Sequence, residues 1–412
     1  MRWKLGFLAF VVAVGLAAVA TSATGAQKLD PGVTAKTIVI GGTFPFTGVA
    51  AVYAAIPKAE RAYFLYANAH GGVNGRKIQF ITYDDAYDPS KTVPLTQKLV
   101  EQDKVFADYG SLGTAPVLAT RSYLNSRKVP QILVATGDSY WGTDYKKYPW
   151  TIGWQPDYPG EAKIYAKFIT AKVPQAKIGV LYQNDAYGQN YLNAFKQGLG
   201  AAASKIVSTQ SYDVTGGPPQ QQVIALKSAG ANVFVLFSTP TATIQSLVIA
   251  TKIGWHPIEF INNVSSSEAF LSIAAKSGAS VDGAISTDYV LDPNNVAQAA
   301  LPGAKLAKQI LDLYGGQAPI FNTNNIYGLA SGWTMVQALK AAGNPPTRAG
   351  LMKALTSLNT RANPFLYRGI AEKTSPTDWF PVEQQILTRY HSGGPAGIGY
   401  GQPFGRLYNN AR

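Results

Sequence analysis

Cysteine does not occur among the 412 residues. Its absence excludes a disulfide framework, a thiolate metal site and a C-x-x-C redox pair. It also excludes the lipidated cysteine that tethers exported proteins in bacteria without an outer membrane. Histidine is almost as scarce: His70, His256 and His391 lie far apart at turn-like positions, which argues against a histidine metal centre. Charge is sparse at 14%, yet unbalanced at +13. The basic residues are scattered, with Lys146-Lys147 the densest local cluster and no Arg/Lys stripe along a helix. Nucleic acid is therefore not expected as a partner, and non-specific attraction to an acidic membrane surface accounts for the charge equally well. A G-x-S-x-G elbow, a Walker A loop and an H-E-x-x-H helix are all missing. No catalytic residue, cofactor or metal is expected.

Long apolar runs are missing too, except at the start. Arg2 and Lys4 precede the run Leu5 to Ala20, followed by small and polar residues with Ala23 and Ala26 at A-x-x-A spacing. That order of charge, apolar stretch and small-residue cleavage site predicts a signal peptide over 1–26. The run is shorter than the roughly 20 residues a spanning helix needs. Export without a lipid anchor points to a periplasm.

Roughly 385 residues follow, long for a single core and suited to two lobes. Short apolar strands alternate with helical patterns: Thr37–Gly42, Lys77–Asp84, Val105–Tyr109 and Gln131–Ala135 are strands, with helices at Pro57–Ala69, Pro94–Gln102 and Thr114–Arg127. The rhythm restarts after Pro156. Strands at Lys177–Tyr182, Lys205–Tyr212, Asn232–Phe237, Glu259–Asn262 and Gly283–Thr287 are interleaved with helices at Gly160–Val173, Tyr187–Leu199, Gln220–Ser228 and Thr241–Ile253. Helices at Leu301–Leu313, Asn325–Ala342 and Thr347–Ser357 follow, then a strand-like Phe380–Arg389 and a Gly-rich tail. Strand and helix in turn imply an α/β chain with two doubly wound parallel sheets.

In such sheets ligands sit beyond the carboxyl ends of the strands. The junctions at Gly42–Ala55, Tyr109–Thr114, Ala135–Tyr140, Gln183–Gly188, Ser238–Thr241 and Asn262–Ser267 are where a site is expected. They carry hydroxyls, glycines and aromatics. Ser111 and Thr114 stand where a helix begins, either as N-caps or as donors to a carboxylate, and Thr136 ends another strand. Tyr53 and Tyr187 offer flat walls with a polar tip. The acidic run Asp84-Asp85-Ala86-Tyr87-Asp88 lacks the glycine and distal glutamate of a calcium loop and reads as a turn whose carboxylates cap backbone N–H groups.

GGVNGRKI (71–78), YDDAYDP (83–89), GSLGTAP (110–116), VPQILVATG (129–137), YPWTIGWQPDY (148–158), NDAYGQ (184–189) and TSPTDWFP (374–381), in order along the chain, resemble the branched-chain amino-acid (Leu/Ile/Val) binding proteins of ABC transporters. The resemblance implies a type I periplasmic binding fold, with three crossovers joining lobe one (36–153 plus 288–355) to lobe two (154–287 plus 356–412). It implies that a ligand carboxylate is held by the Ser111 hydroxyl and the Ala135-Thr136 region, with Tyr53 and Tyr187 as walls. It implies a solute-binding subunit, working as a monomer, that closes on a small molecule and delivers it to an ABC permease in the inner membrane. Presentation to a chemoreceptor or kinase is the alternative, and a periplasmic enzyme a more distant one. Where the family places an acidic residue for the ligand ammonium, this chain has Val264, with Glu268 four residues later. The family's second lobe-two tyrosine falls at Ser238-Thr239-Pro240. An unpaired buried ammonium is costly, so an amine-free acid or an amide is expected to fit better than an α-amino acid.

Overall fold

The computed structural model describes residues 29–316, 321–394 and 397–410. The expected signal peptide lies outside them.

The first sheet is parallel throughout, in the order β2-β1-β3-β4-β5. Its chain order is β1 (Thr37–Phe44), α1 (Ala55–Ala69), β2 (Lys77–Asp84), α2 (Pro89–Glu101), β3 (Ala107–Tyr109), α3 (Thr114–Ser126), β4 (Gln131–Val134), α4 (Tyr140–Thr143) and β5 (Thr151–Gly153). The β-branched run of β1 fits a central strand covered on both faces, and Ile38, Ile40 and Phe44 are fully buried. Helix α2 begins five residues before the expected Pro94. Asp88 accepts a hydrogen bond from Ser90 N at 2.9 Å, and Pro89 opens the helix with a φ already suited to it.

The second half runs α5 (Tyr158–Lys172), β6 (Ile178–Gln183), α6 (Ala186–Leu199), β7 (Ile206–Tyr212), α7 (Gln220–Ser228), β8 (Val233–Phe237), α8 (Pro240–Lys252), β9 (Ile258–Ile261), α9 (Glu268–Lys276) and β10 (Ile285–Asp288). Then follow α10 (Val296–Ala299), α11 (Pro302–Tyr314), α12 (Thr323–Ala341), α13 (Arg348–Leu355), the short pair β11 (Asn359–Thr360) and β12 (Glu372–Lys373), and finally β13 (Gln384–His391) and β14 (Tyr400–Asn409). The second sheet has the order β14-β13-β10-β9-β8-β6-β7. It departs from the expected all-parallel sheet at one edge, where β13 and β14 run antiparallel. β13 runs antiparallel to β10, and the short link from β13 to β14 lets those two pair only antiparallel.

Helices α11 and α12 return to pack on α1 in the first half. The segment after α13, which the resemblance assigns to lobe two, also packs there. Phe365, Leu366, Ile370 and Val382 belong to the core around the first sheet. Glu372 Oε1 accepts from Trp154 Nε1 at 2.7 Å, from Asn363 Nδ2 at 3.2 Å and from the Thr334 hydroxyl. A buried carboxylate needs such donors, and they tie this segment to the core around the first sheet, of which Trp154 is part, until the chain enters β13.

Candidate ligand-binding site

Strand ends, helix starts from both halves of the chain and two crossover segments surround a cavity. From the first sheet's side come Tyr53, Ile56, Tyr87, Leu112, Gly113 and Ala135; from the second come Tyr158, Tyr187, Thr239, Asn263 and Val264. Gln155, Asp288, Tyr289 and Val290 line it from the crossovers, and Thr323, Asn324 and Tyr327 from the start of α12.

Three of the residues singled out in the sequence, Tyr53, Ala135 and Tyr187, stand in this wall. Tyr53 Oη donates to Val264 O at 3.0 Å across the cleft, and Tyr187 Oη donates to Ser238 O at 3.0 Å. Ser111, Thr114 and Thr136 are buried behind the lining. The Ser111 hydroxyl donates to Asp108 Oδ1 at 2.7 Å and accepts from Thr43 N at 3.1 Å, so it joins β1 to the end of β3. Thr114 Oγ1 and Thr136 Oγ1 share a 2.6 Å hydrogen bond, and Thr136 Oγ1 lies 3.2 Å from Tyr158 Oη. That chain fixes the Tyr158 ring, which also stacks on Tyr191 at 4.4 Å and meets Tyr187 edge-on at 5.2 Å.

Helix α3 starts at Gly113, with φ of 101° and no capping side chain. Among the described residues no side chain caps its first turn, and Gly113 itself lines the cavity. A helix start in this condition carries partial positive charge and free donors, suited to a carboxylate. No lysine or arginine is among the lining residues.

The site has an acidic residue after all. Asp288, at the end of β10, is buried and faces the cavity. Burial, and then the nearby Asp292, push its carboxyl well above the usual carboxylate range. Glu161, behind Asn263, is pushed up to about 7, chiefly by burial. Its oxygens accept from Tyr191 Oη at 2.6 Å and Asn263 N at 2.6 Å. Val264 does occupy the cavity wall, whereas Glu268 turns away and accepts from Thr323 N at 3.2 Å. The family's acidic position is thus filled by Val264, while a carboxyl, that of Asp288, comes to the same cavity from the next strand. The strand-end rule reaches Asp288 when it is carried on to β10. Tyr327 and Asn324 lie on a helix and carry no such signal.

The sequence profile of the periplasmic binding protein family matches residues 37–385. The chain belongs to that family. It is 27% identical over 313 residues to a Leu/Ile/Val-binding protein homolog of Brucella suis, covering 74% of this chain and 79% of that protein. Among solved structures, a branched-chain amino acid ABC transporter protein from Thermus thermophilus with bound valine superposes with a TM-score of 0.78 at 15% identity, over 93% of this chain and 98% of that one. A solute-binding protein of R. palustris in complex with 4-hydroxybenzoate superposes with a TM-score of 0.76 at 17% identity, over 91% and 98%. The fold is therefore that of the type I periplasmic binding proteins. These relatives are substrate-binding proteins, and the chain is a binding protein rather than an enzyme. Among the described residues no helix is long and apolar enough to cross a membrane.

Proposed function

We propose that this protein works in the periplasm as the monomeric solute-binding subunit of an ABC importer, capturing a small carboxylate-bearing ligand by hinge closure and delivering it to an inner-membrane permease. The observation that carries this is the uncapped start of α3 at the cavity wall, the donor set a carboxylate needs where no cationic side chain is present. The ligand's body lies among Tyr53, Tyr158, Tyr187, Ile56 and Leu112. Ala135 contacts it directly, while Ser111, Thr114 and Thr136 hold the wall in place. We take lobe one as 36–153 plus 289–382 and lobe two as 154–288 plus 383–410. This division follows the packing of the 356–382 segment on the first core. Closure requires that the ligand contact both lobes, and residues of both line the cavity.

Asp288 favours a second reading, in which the ligand also carries an amine, as the amino acid bound by the Thermus protein does. Calorimetry with L-leucine, its amine-free counterpart 4-methylpentanoate, and benzoate tests both. A saturating ligand raises stability by about 2–4 kcal/mol, so melting shifts give an independent readout. At least tenfold preference for leucine, abolished by Asp288→Asn, establishes the amine. Equal or tighter binding of the acids establishes the amine-free class. If no carboxylate binds and uncharged analogues do, the α3 assignment fails.

A further inference from the structure

Two cavity-lining residues at the start of α12 carry buried hydrogen-bonding groups with no partner among the described residues: the Tyr327 hydroxyl and the Asn324 side-chain amide nitrogen. Tyr327 is only 6% exposed. An unpaired polar atom this deep is uncommon, because the group loses its water without gaining a replacement. The two residues are three apart on one helix and therefore share a face.

Neither group can readily turn elsewhere. The helix start is fixed by a reciprocal cap, in which Asn324 N donates to Asn322 Oδ1 at 2.9 Å and Asn322 N donates to Asn325 Oδ1 at 3.1 Å. Gly328 brings α12 against α1 so closely that a Cβ there would lie 2.5 Å from Ile56 O. The Trp154 ring meets the Tyr327 ring edge-on, with centroids 5.1 Å apart and planes at 90°. Cap, close helix approach and ring packing hold both residues at the wall of the cavity.

We infer that the ligand carries, besides its α3-bound carboxylate, a second polar group, an acceptor oxygen, and that Tyr327 Oη and Asn324 Nδ2 read it. This rests on the carboxylate reading proposed above. A hydroxyl, carbonyl or second carboxylate satisfies both donors. A purely aliphatic or phenyl end leaves both buried and unpaired, and sites built to bond a substrate oxygen discriminate strongly against analogues that lack it. The cargo class is therefore an oxygen-bearing acid, with or without an amine at Asp288, rather than a plain branched-chain compound.

Three matched pairs test this by calorimetry on the mature chain: 4-hydroxybenzoate against benzoate, L-tyrosine against L-phenylalanine, and glutarate against pentanoate. In at least one pair the oxygen-bearing member should bind about tenfold tighter or more. Tyr327→Phe should collapse that ratio toward one while leaving the affinity of the oxygen-free member unchanged or improved. Asn324→Ala should do the same in part, and it carries the test alone if Tyr327→Phe does not fold. A merely structural role for Tyr327 would weaken both members equally. Acids that bind with no preference in any pair, or a ratio insensitive to both substitutions, overturn the inference and leave the carboxylate reading standing. Failure of every acid to bind removes both.

Discussion

At the residue scale, two strained positions lie beside the helix start assigned to the carboxylate. Ala86 and Tyr87 follow one another with φ of 54° and 65°, in the left-handed region that side chains disfavour. The acidic run read as a capping turn holds them there. Asp84 Oδ1 accepts from Phe46 N at 2.9 Å and Ala86 N at 3.0 Å, and Asp85 Oδ1 accepts from Tyr87 N at 2.9 Å. The outcome is a Tyr87 ring laid over Gly113, where a Cβ would meet Tyr87 Cε2 at 2.4 Å. Gly113→Ala should therefore cost about 1–3 kcal/mol of stability, from positive φ and the clash together. It should also weaken carboxylate binding at least tenfold, because relief of the clash moves Tyr87 over the donors. Denaturant titration and calorimetry on the variant check the two effects, and an unchanged affinity would remove Gly113 from the site.

At the scale of elements, the two halves meet through a few specific bonds across the cleft. Thr241 Oγ1 donates to Val49 O at 2.9 Å. Asn190 on α6 donates to Ser139 Oγ at 2.9 Å and accepts from Ser139 N at 3.3 Å, just before α4. Under the hinge closure proposed above, such bonds form only while the lobes are together, so they bear on closure and not on the folding of either lobe. Asn190→Ala should weaken ligand affinity about 5- to 30-fold, the effect of one or two hydrogen bonds of about 1 kcal/mol each. The melting temperature without ligand should stay the same. Solution scattering should show less compaction at a given ligand concentration, and a fall in ligand-free melting temperature would instead mark the pair as part of the fold.

For the whole molecule, many carboxyls are buried and few cations accompany them. Glu60 is pushed up to about 8 by burial, Asp108 to about 7 by burial, and Glu259 to about 8 by burial alone. Each binds its proton more tightly in the folded chain than in the unfolded one, where carboxyls titrate near 4. Between about pH 4.5 and 8 the folded state therefore holds protons that the unfolded state has lost, and stability falls as pH rises through that window. The protein should melt several degrees higher at pH 5.5 than at pH 8, a difference of about 2 kcal/mol or more. Calorimetry across the range checks the slope, and Glu60→Gln should flatten it; a rise in stability toward pH 8 would contradict the raised carboxyls.

What the amino-acid order determined by itself was local. The strand and helix repeats stand out because side-chain burial follows a period of 2 or 3.6 along the chain. Tyr53, Ala135 and Tyr187 were legible because they fall at strand ends or beside helix starts. The bracing role of Asp84 and Asp85 was legible because short carboxylates bond backbone a residue or two away. The tertiary structure decided what depends on partners distant in sequence. It turned Ser111, Thr114 and Thr136 behind the wall by giving their hydroxyls buried acceptors, and it drew the 356–382 segment onto the first core through Glu372. It also set Asp288 and Tyr327 in one cavity, although their elements belong to different halves of the molecule. No local period encodes such a meeting. It arises when chain segments cross between two sheets and pack where their buried polar groups find donors or, at Tyr327 and Asn324, are left at the cavity wall.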